Sequence, residues 1–535
     1  METLLEMYRR RDMAGIWKRY CGDLDVSMDE FMETQNRLLA DQLQAWQRSS
    51  LMKRLFGGTI PSSVQEFRER APLTTYDNYA DVLMEKSDKE LPESTHIWVR
   101  TSGRSGQYPG KWIPWTKGMY DTISDYGISF LILASARKHG EIRLKEHDRV
   151  MFTLAPLPFS SGLVMQGMHE QFNFRFLPPY EQAIQMDFFE RMREAVRLAF
   201  SEGIHFFFGI SSLMINLSEQ LGGAGANPEI RRMLRDPRTF LRLVKGLVKS
   251  KLRGGRLRPS DLWNPKGVVC GGMDTATYRE RIRGMWGDYP REVFACSEFG
   301  IIGNQHFAGL GTVPLVKTCY FEFLELEDYS RWKADHSYRP RLLVLSEVQA
   351  GKGYALVGTN FFGGVLVRYI LGDEVKFLSL SDESIGLGLP QISVSGRIDE
   401  VIDIGGFTRL TERTMWSAVE SSGIPYMDWV VAKEYSSDRP VLHLYLETKG
   451  DGHDPVEAQK VIHDKLKQAD PEYRDLEEMA GIKPLVVTLL SRGTFARFQK
   501  ERQAAGYEVA HLKPMHMNPK AEVISRLVAM SAMTI

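Results

Sequence analysis

The chain has 535 residues, several times the ~150 of a common domain, so two or more domains and a large apolar core are expected. Lys+Arg and Asp+Glu each total 68, which leaves no global field to draw in nucleic acid or an anionic membrane. The four cysteines, at 21, 270, 296 and 319, form no CxxC pair, which argues against a disulfide frame or a structural zinc site and fits a reducing cytoplasm.

The opening METLLEMYRRR breaks its apolar positions with acids and then arginines, so it reads as an amphipathic helix and not as a signal peptide. No uncharged apolar run reaches the ~20 residues that span a bilayer, and a cytoplasmic protein without a membrane span is predicted. Residues 1–90 are helix-rich and are expected to pack as a helical region on a large domain at 91–398. There, strand-like runs at 149–154, 206–210, 267–270 and 291–295 alternate with longer helical patterns, which predicts α/β layers with a largely parallel sheet. Between 315 and 395 strands crowd without helices, at 317–326, 354–359, 365–370 and 374–378, as in an antiparallel or barrel-like subdomain. After Gly396, strands at 429–433, 440–447 and 482–490 interleave with helices near 411–421, 455–468 and 494–505. The expected fold class is α/β: a large N-terminal domain with layered sheets and a barrel-like β subdomain, and a small mobile C-terminal α+β lid at 399–535.

Five motifs carry chemistry. The first, VRTSGRSGQYPGK at 99–111, follows a strand-like run, and its glycines would let backbone N–H groups turn inward around an anion. The hydroxyls of Thr101, Ser102 and Ser105 add donors to Gly103 and Gly106. The second, FACSEFG at 294–300, sets Glu298 on a strand-to-loop corner beside Ser297, where a carboxylate can hold Mg²⁺ while Phe294 stacks on a base. In the third, RYILGD at 368–373, Asp373 follows a turn glycine and can accept from both ribose hydroxyls. The fourth, GRIDEVIDIGG at 396–406, suits a hinge between domains, and the fifth is GYEVAHLKP at 506–514, which contains Lys513.

In this order the motifs resemble the adenylate-forming superfamily of acyl-CoA synthetases, luciferases and peptide-synthetase adenylation domains. Within it, KWIPWT at 111–116, CYFEFL at 319–324, YALVGT at 354–359 and GTF at 493–495 are most similar to the acyl acid–amido synthetases of the auxin-responsive plant family and their bacterial relatives. The resemblance implies an ATP- and Mg²⁺-dependent ligase that adenylates a small carboxylic acid and passes the acyl group to an amine, forming an amide. CoA as acceptor, or a non-catalytic adenylate-binding relative, is the alternative. By the same resemblance Ser102 to Gly106 hold the departing phosphates, adenine lies near Gly271, Gly272 and Phe294, Asp373 meets the ribose, Arg397 the ribose or phosphate, and Lys513 the α-phosphate.

The chain also departs from that pattern. Arg104 stands where family loops usually carry Thr or Ser, and its guanidinium could bind pyrophosphate in place of a hydroxyl. Cys296 replaces a common Ser, and GGFTRL at 405–410 replaces a more usual Gly-Glu-Lys segment. The acid pocket is expected at 156–162 and 206–212, where three consecutive phenylalanines suit either an apolar acyl group or a buried strand. Residues 231–258 hold eleven Lys/Arg against one acid, Asp236, and could meet a CoA phosphate, an acidic partner or a membrane surface, or form a solvated helical face.

Overall fold

The computed structural model describes residues 2–101, 111–222, 235–271, 275–398, 402–404, 408–436, 439–450, 452–471, 473–474, 484–504 and 516–532. The chain divides into two compact units, Met1–Leu371 with Val375–Val394, and Gly372–Glu374 with Ser395–Ile535.

The first unit begins with helices. Met28–Trp46 starts at a capping box in which the Ser27 hydroxyl accepts from the Glu30 N–H and the Glu30 carboxylate accepts from the Ser27 N–H. Phe31, Leu38, Leu39, Leu43 and Trp46 recur at helical spacing and are buried along one face. Gln35 and Gln42 share that face and are satisfied by distant backbone. The Gln35 amide donates to the carbonyls of Val316 (2.5 Å) and Cys319 (2.9 Å) and accepts from the Phe321 N–H (2.9 Å). Gln42 bridges the Gly363 N–H (2.7 Å) and the Gly364 carbonyl (2.9 Å). An unpartnered buried amide would cost roughly 1–3 kcal/mol, so these two side chains dictate where the helix sits.

Strands β1 (Ile97–Arg100) and β2 (Trp112–Trp115) form a hairpin with Ile97 opposite Trp115 and Arg100 opposite Trp112. Twelve further strands build one sheet: β3 (Arg149–Phe152), β4 (Arg175–Leu177), β5 (Phe206–Ile210), β6 (Gly267–Gly271), β7 (Arg291–Cys296), β8 (Gly300–Gln305), β9 (Thr312–Pro314), β10 (Cys319–Glu325), β11 (Leu343–Val344), β12 (Gly353–Asn360), β13 (Tyr369–Ser379) and β14 (Gln391–Arg397). Their spatial order is β11-β10-β12-β13-β14-β9-β8-β7-β6-β5-β3-β4. The run β4-β3-β5-β6-β7 is parallel, and β7 to β8 and β8 to β9 are antiparallel.

The structure refines three expectations. The crowded strands after 315 pair antiparallel where β10 meets β11 and β12, as one of the two readings had it, and they lie in the same sheet as the parallel strands and not in a separate barrel. Of the strands expected at 365–370 and 374–378, residues 365–368 lie outside any strand, while 369–379 form the single strand β13, and Gly372 (φ +82°) lies inside it and not in a turn. The phenylalanine run is core. Phe208 meets Phe130 (4.5 Å between centroids) and Phe152 (4.9 Å), while Phe207 meets Trp286 (5.3 Å), so both faces of β5 are covered as in any central parallel strand.

At the N-terminal ends of β3, β5 and β6, Asp148 accepts from Lys266 Nζ at 2.7 Å on both oxygens and lies 2.8 Å from His205 Nδ1. Burial works to raise this carboxyl, but the bonds from His205 and Lys266 outweigh it and hold it below the usual range. The cluster is a structural clamp at the end of the sheet away from the strand C-termini.

In the second unit, β15 (Ile402–Ile404) pairs with β16 (Thr408–Leu410), and β17 (Tyr426–Ser436), β18 (Arg439–Thr448) and β19 (Leu485–Leu490) form a sheet, antiparallel then parallel. Alternation sets its two faces. Trp429, Val431, Leu444 and Leu446 pack with helices Glu412–Ser421 and Pro455–Ala469, while Val430 and Tyr445 pack with Phe495 and Leu527 of helices Thr494–Ala504 and Ala521–Ala532.

Candidate active site

Open α/β sheets present ligand sites at the C-terminal ends of their parallel strands, and several of the sequence-predicted residues fall there. Gly271 ends β6, and Ser297 and Glu298 form the half-buried corner after β7. Phe294, on β7, is buried within the main hydrophobic core.

The corner is held from three directions. The Trp115 indole N–H on β2 donates to the Ser297 carbonyl (3.1 Å), and Asn360 Nδ2 at the end of β12 donates to the Glu298 carbonyl (3.1 Å). The Ser160 hydroxyl, in the first turn of helix Ser160–Gln171, lies 3.4 Å from the Ser297 hydroxyl. Gly300 has φ +85°, and a Cβ there would come within 2.7 Å of the Trp115 ring, so this turn needs glycine. With both carbonyls tied down, the Glu298 carboxylate leaves a fixed backbone.

Thr101 is at the base of the candidate phosphate loop. Its N–H donates to the Lys111 carbonyl (2.8 Å), and the Lys111 N–H reaches its hydroxyl (3.4 Å), which closes the hairpin across the tip. The Arg100 N–H donates to the Pro158 carbonyl (2.8 Å), so the hairpin lies against the 156–162 segment that leads into Ser160. The Lys111 ammonium is 5.4 Å from the Tyr76 ring centroid, and the Tyr76 hydroxyl bonds the N–H (3.0 Å) and C=O (3.2 Å) of Trp112. Ser102, Gly103, Arg104, Ser105 and Gly106 lie outside the described residues, as do Gly272 and Lys513.

Asp373 is half-buried on β13, within the stretch that belongs to the second unit, and Arg397 closes β14. Sequence reasoning passed over Trp115, Ser160 and Asn360. KWIPWT and the 156–162 segment were noted for other reasons, and nothing local to Asn360 announces its partner.

His516 fixes the chain just beyond the Lys513 motif. Its Nδ1 is 2.5 Å from Glu412 and its Nε2 2.9 Å from Asp428, and its ring stacks on Trp429 (4.3 Å, 16°). Its carbonyl accepts from the Val431 N–H, and the Asn518 N–H donates back to the Val431 carbonyl, so residues 516–518 run beside β17. Burial opposes a charge here, but the bonds to Asp428 and Glu412 prevail and raise the imidazole to about 9 from its usual 6.5. A raised value stabilises the folded unit fully below about pH 6.5, and that contribution is lost as pH climbs through about 9. The stability of wild type should therefore fall over pH 6.5–9 more than that of His516→Gln, as read by thermal melts followed through tryptophan fluorescence.

Residues 312–397 match the GH3 family central domain, and residues 411–522 match the GH3 family C-terminal domain. The jasmonoyl–L-amino acid synthetase GH3.5 of Oryza sativa subsp. japonica is 27% identical over 293 residues, covering 50% of this chain and 48% of that protein. The jasmonoyl–L-amino acid synthetase JAR4 of Nicotiana attenuata is 23% identical over 265 residues, covering 46% and 42%. The chain thus spans about half the length of the curated relatives it matches. In fold it is similar to a GH3.15 acyl acid amido synthetase in complex with 2,4-DB (TM-score 0.66, 17% identity, 95% of this chain and 94% of the other). It is also similar to a 2-hydroxyisobutyryl-CoA ligase in the postadenylation state (TM-score 0.59, 13% identity, 90% and 94%). Two consecutive segments thus match GH3 family domains, and the fold of the whole chain is similar to that of an acyl acid amido synthetase and of an acyl-CoA ligase.

Proposed function

We propose that the protein is an ATP-dependent ligase that adenylates a small carboxylic acid, releasing pyrophosphate, and transfers the acyl group to an amine, an amino acid, with release of AMP. The observation that carries the reading is the match of two consecutive segments to GH3 domains, behind a hairpin loop whose base is tied to the segment leading into Ser160 and the Ser297–Glu298 corner. The named relatives are synthetases that join an acid to an amino acid. Residues 91–398 form the ATP- and acid-binding body in this reading, with 1–90 packed on it and 399–535 as a lid that brings Lys513 to the reacting centre.

The chemistry requires two anions, a carboxylate and a triphosphate, to meet in line. Backbone N–H groups and hydroxyls of Thr101 to Gly106, with Arg104, would neutralise the departing pyrophosphate. Gly271, Gly272 and the region of Phe294 would receive adenine, and Asp373 and Arg397 the ribose and its phosphate. Among the described residues no three metal-ligating side chains cluster. Mg²⁺ is commonly held by one or two carboxylates together with substrate phosphate oxygens. Glu298, a hard oxygen ligand on a fixed backbone beside Ser297, fits that part, and the ion would supply charge neutralisation at the phosphates. All four cysteines are free, which supports a cytoplasmic setting.

Glu298→Gln should lower the rate and move the Mg²⁺ dependence to higher concentration, because a neutral amide is a poorer ligand for a hard cation. An unchanged magnesium titration at full activity would make Glu298 structural. The acceptor is tested by incubating the enzyme with a carboxylate panel, ATP and either mixed amino acids or CoA, and weighing the products by mass spectrometry. An amide with AMP is expected; a thioester without amide would replace the amine with CoA.

A further inference from the structure

Helix Pro237–Arg253 turns its apolar stripe away from the protein. Its inward face is made of Thr239, Leu243, Gly246 and Ser250, all buried. At about 100° per residue, Phe240, Leu241, Val244, Leu247, Val248 and Leu252 share an arc of about 140° on the other side. They are 41% to 84% exposed. A surface helix normally buries its large apolar residues and exposes its small and polar ones; this one does the reverse.

The charges beside the stripe have one sign. Arg238, Lys245 and Lys249 line one edge and Lys251 lies within the stripe, between Phe240 and Val244 around the helix, all exposed, and the helix itself contains no acid after its N-cap, Asp236. The helix is docked by its more buried arginines. Arg242 donates to the carbonyl of Phe200 (2.7 Å), and Arg253 pairs with Asp261. Among the described residues no ion pair engages the four exposed cations, so their field faces outward.

We propose that this helix is an interfacial anchor that lays its apolar stripe into the surface of an anionic lipid bilayer, with the flanking cations at the headgroups. Charge decides between occupants. A second copy docked antiparallel through this face would set the cationic edges of the two helices side by side, and either two-fold pairing would press Lys251, which lies within the stripe, into the contact, whereas an anionic leaflet complements these cations. No helix among the described residues is long and apolar enough to cross a membrane, so the contact is peripheral. At 17 residues the helix is about 25 Å long, and six large apolar side chains along it provide the hydrophobic term, while the cations provide the lipid selectivity.

The test is flotation of the full chain with vesicles of phosphatidylcholine alone or with about 30% phosphatidylglycerol. Wild type should float with the anionic vesicles, stay behind with phosphatidylcholine, and be largely released at about 0.5 M NaCl. The triple changes Arg238→Glu/Lys245→Glu/Lys249→Glu and Leu241→Ser/Val248→Ser/Leu252→Ser alter outward side chains, so each should melt like wild type and keep pyrophosphate exchange. Each should weaken vesicle binding about tenfold or more. Wild type that ignores anionic vesicles would overturn the proposal, as would variants that float as well as wild type. A concentration-dependent dimer in sedimentation, abolished by the serine variant while vesicle binding persists, would assign the stripe to a second copy and overturn it too.

Discussion

Lys513→Ala is expected to lower carboxylate-dependent pyrophosphate–ATP exchange by roughly 10²-fold or more, the loss seen when one electrostatic donor is removed from a reacting centre. ATP binding should stay within a few-fold of wild type. The reason is where the charge builds up. In the proposed reaction the attacking carboxylate and the α-phosphate are both anionic, and a cation carried by a closing lid would offset their repulsion only on closure, so its loss should fall on the chemical step and not on nucleotide binding. Three residues past Lys513, His516 is bonded to Glu412 and to Asp428 and Val431 of β17. Near-normal exchange in Lys513→Ala would remove the lysine from the reaction.

Arg368→Ala is expected to destabilise the first unit by about 3–5 kcal/mol, the range for breaking a buried ion pair from one side. Arg368 forks onto Glu322, with Nε–Oε2 at 2.8 Å and Nη2–Oε1 at 2.7 Å, and both side chains are buried. It also donates to the carbonyls of Ala71 (2.8 Å) and Arg68 (2.9 Å), which ties the end of helix Val64–Arg70 to β10. Alanine would leave the Glu322 carboxylate charged and unpaired in the sheet interior. Replacing both partners, Arg368→Met with Glu322→Leu, should recover much of the loss, since a buried pair contributes little net stability over apolar side chains of similar volume. Urea melts of Arg368→Met, Glu322→Leu and the double variant test this: a double variant no more stable than Arg368→Met, with little loss in Glu322→Leu, would mean that the bonds to the Ala71 and Arg68 carbonyls carry the effect. Arg368 also has φ +39°, a left-handed geometry rare outside glycine, with its N–H bonded to the Thr359 hydroxyl (2.9 Å) and its carbonyl to the Thr74 N–H (3.0 Å).

The sequence by itself determined the features that repeat over a few residues. Residues 1–90 read as helix-rich, and strands were expected at 429–433 and 440–447, where β17 and β18 run. The order of the five motifs likewise pointed to adenylation chemistry before any tertiary contact was known. Only the tertiary structure decided which distant groups meet. Trp115 reaches Ser297 across 182 positions, Ser160 approaches Ser297 across 137, and Gln35 finds Val316 across 281, so no local window contains both partners. The phenylalanine run illustrates the same limit: three apolar residues in a row suit a ligand pocket or a doubly covered strand equally, and the neighbours of β5 decide for the strand. The outward stripe of helix Pro237–Arg253 is a second case. Its periodicity was legible, but which face turns toward the protein depends on what packs beneath it, and there Gly246 meets Leu262 and Leu257 closely enough to exclude a larger side chain.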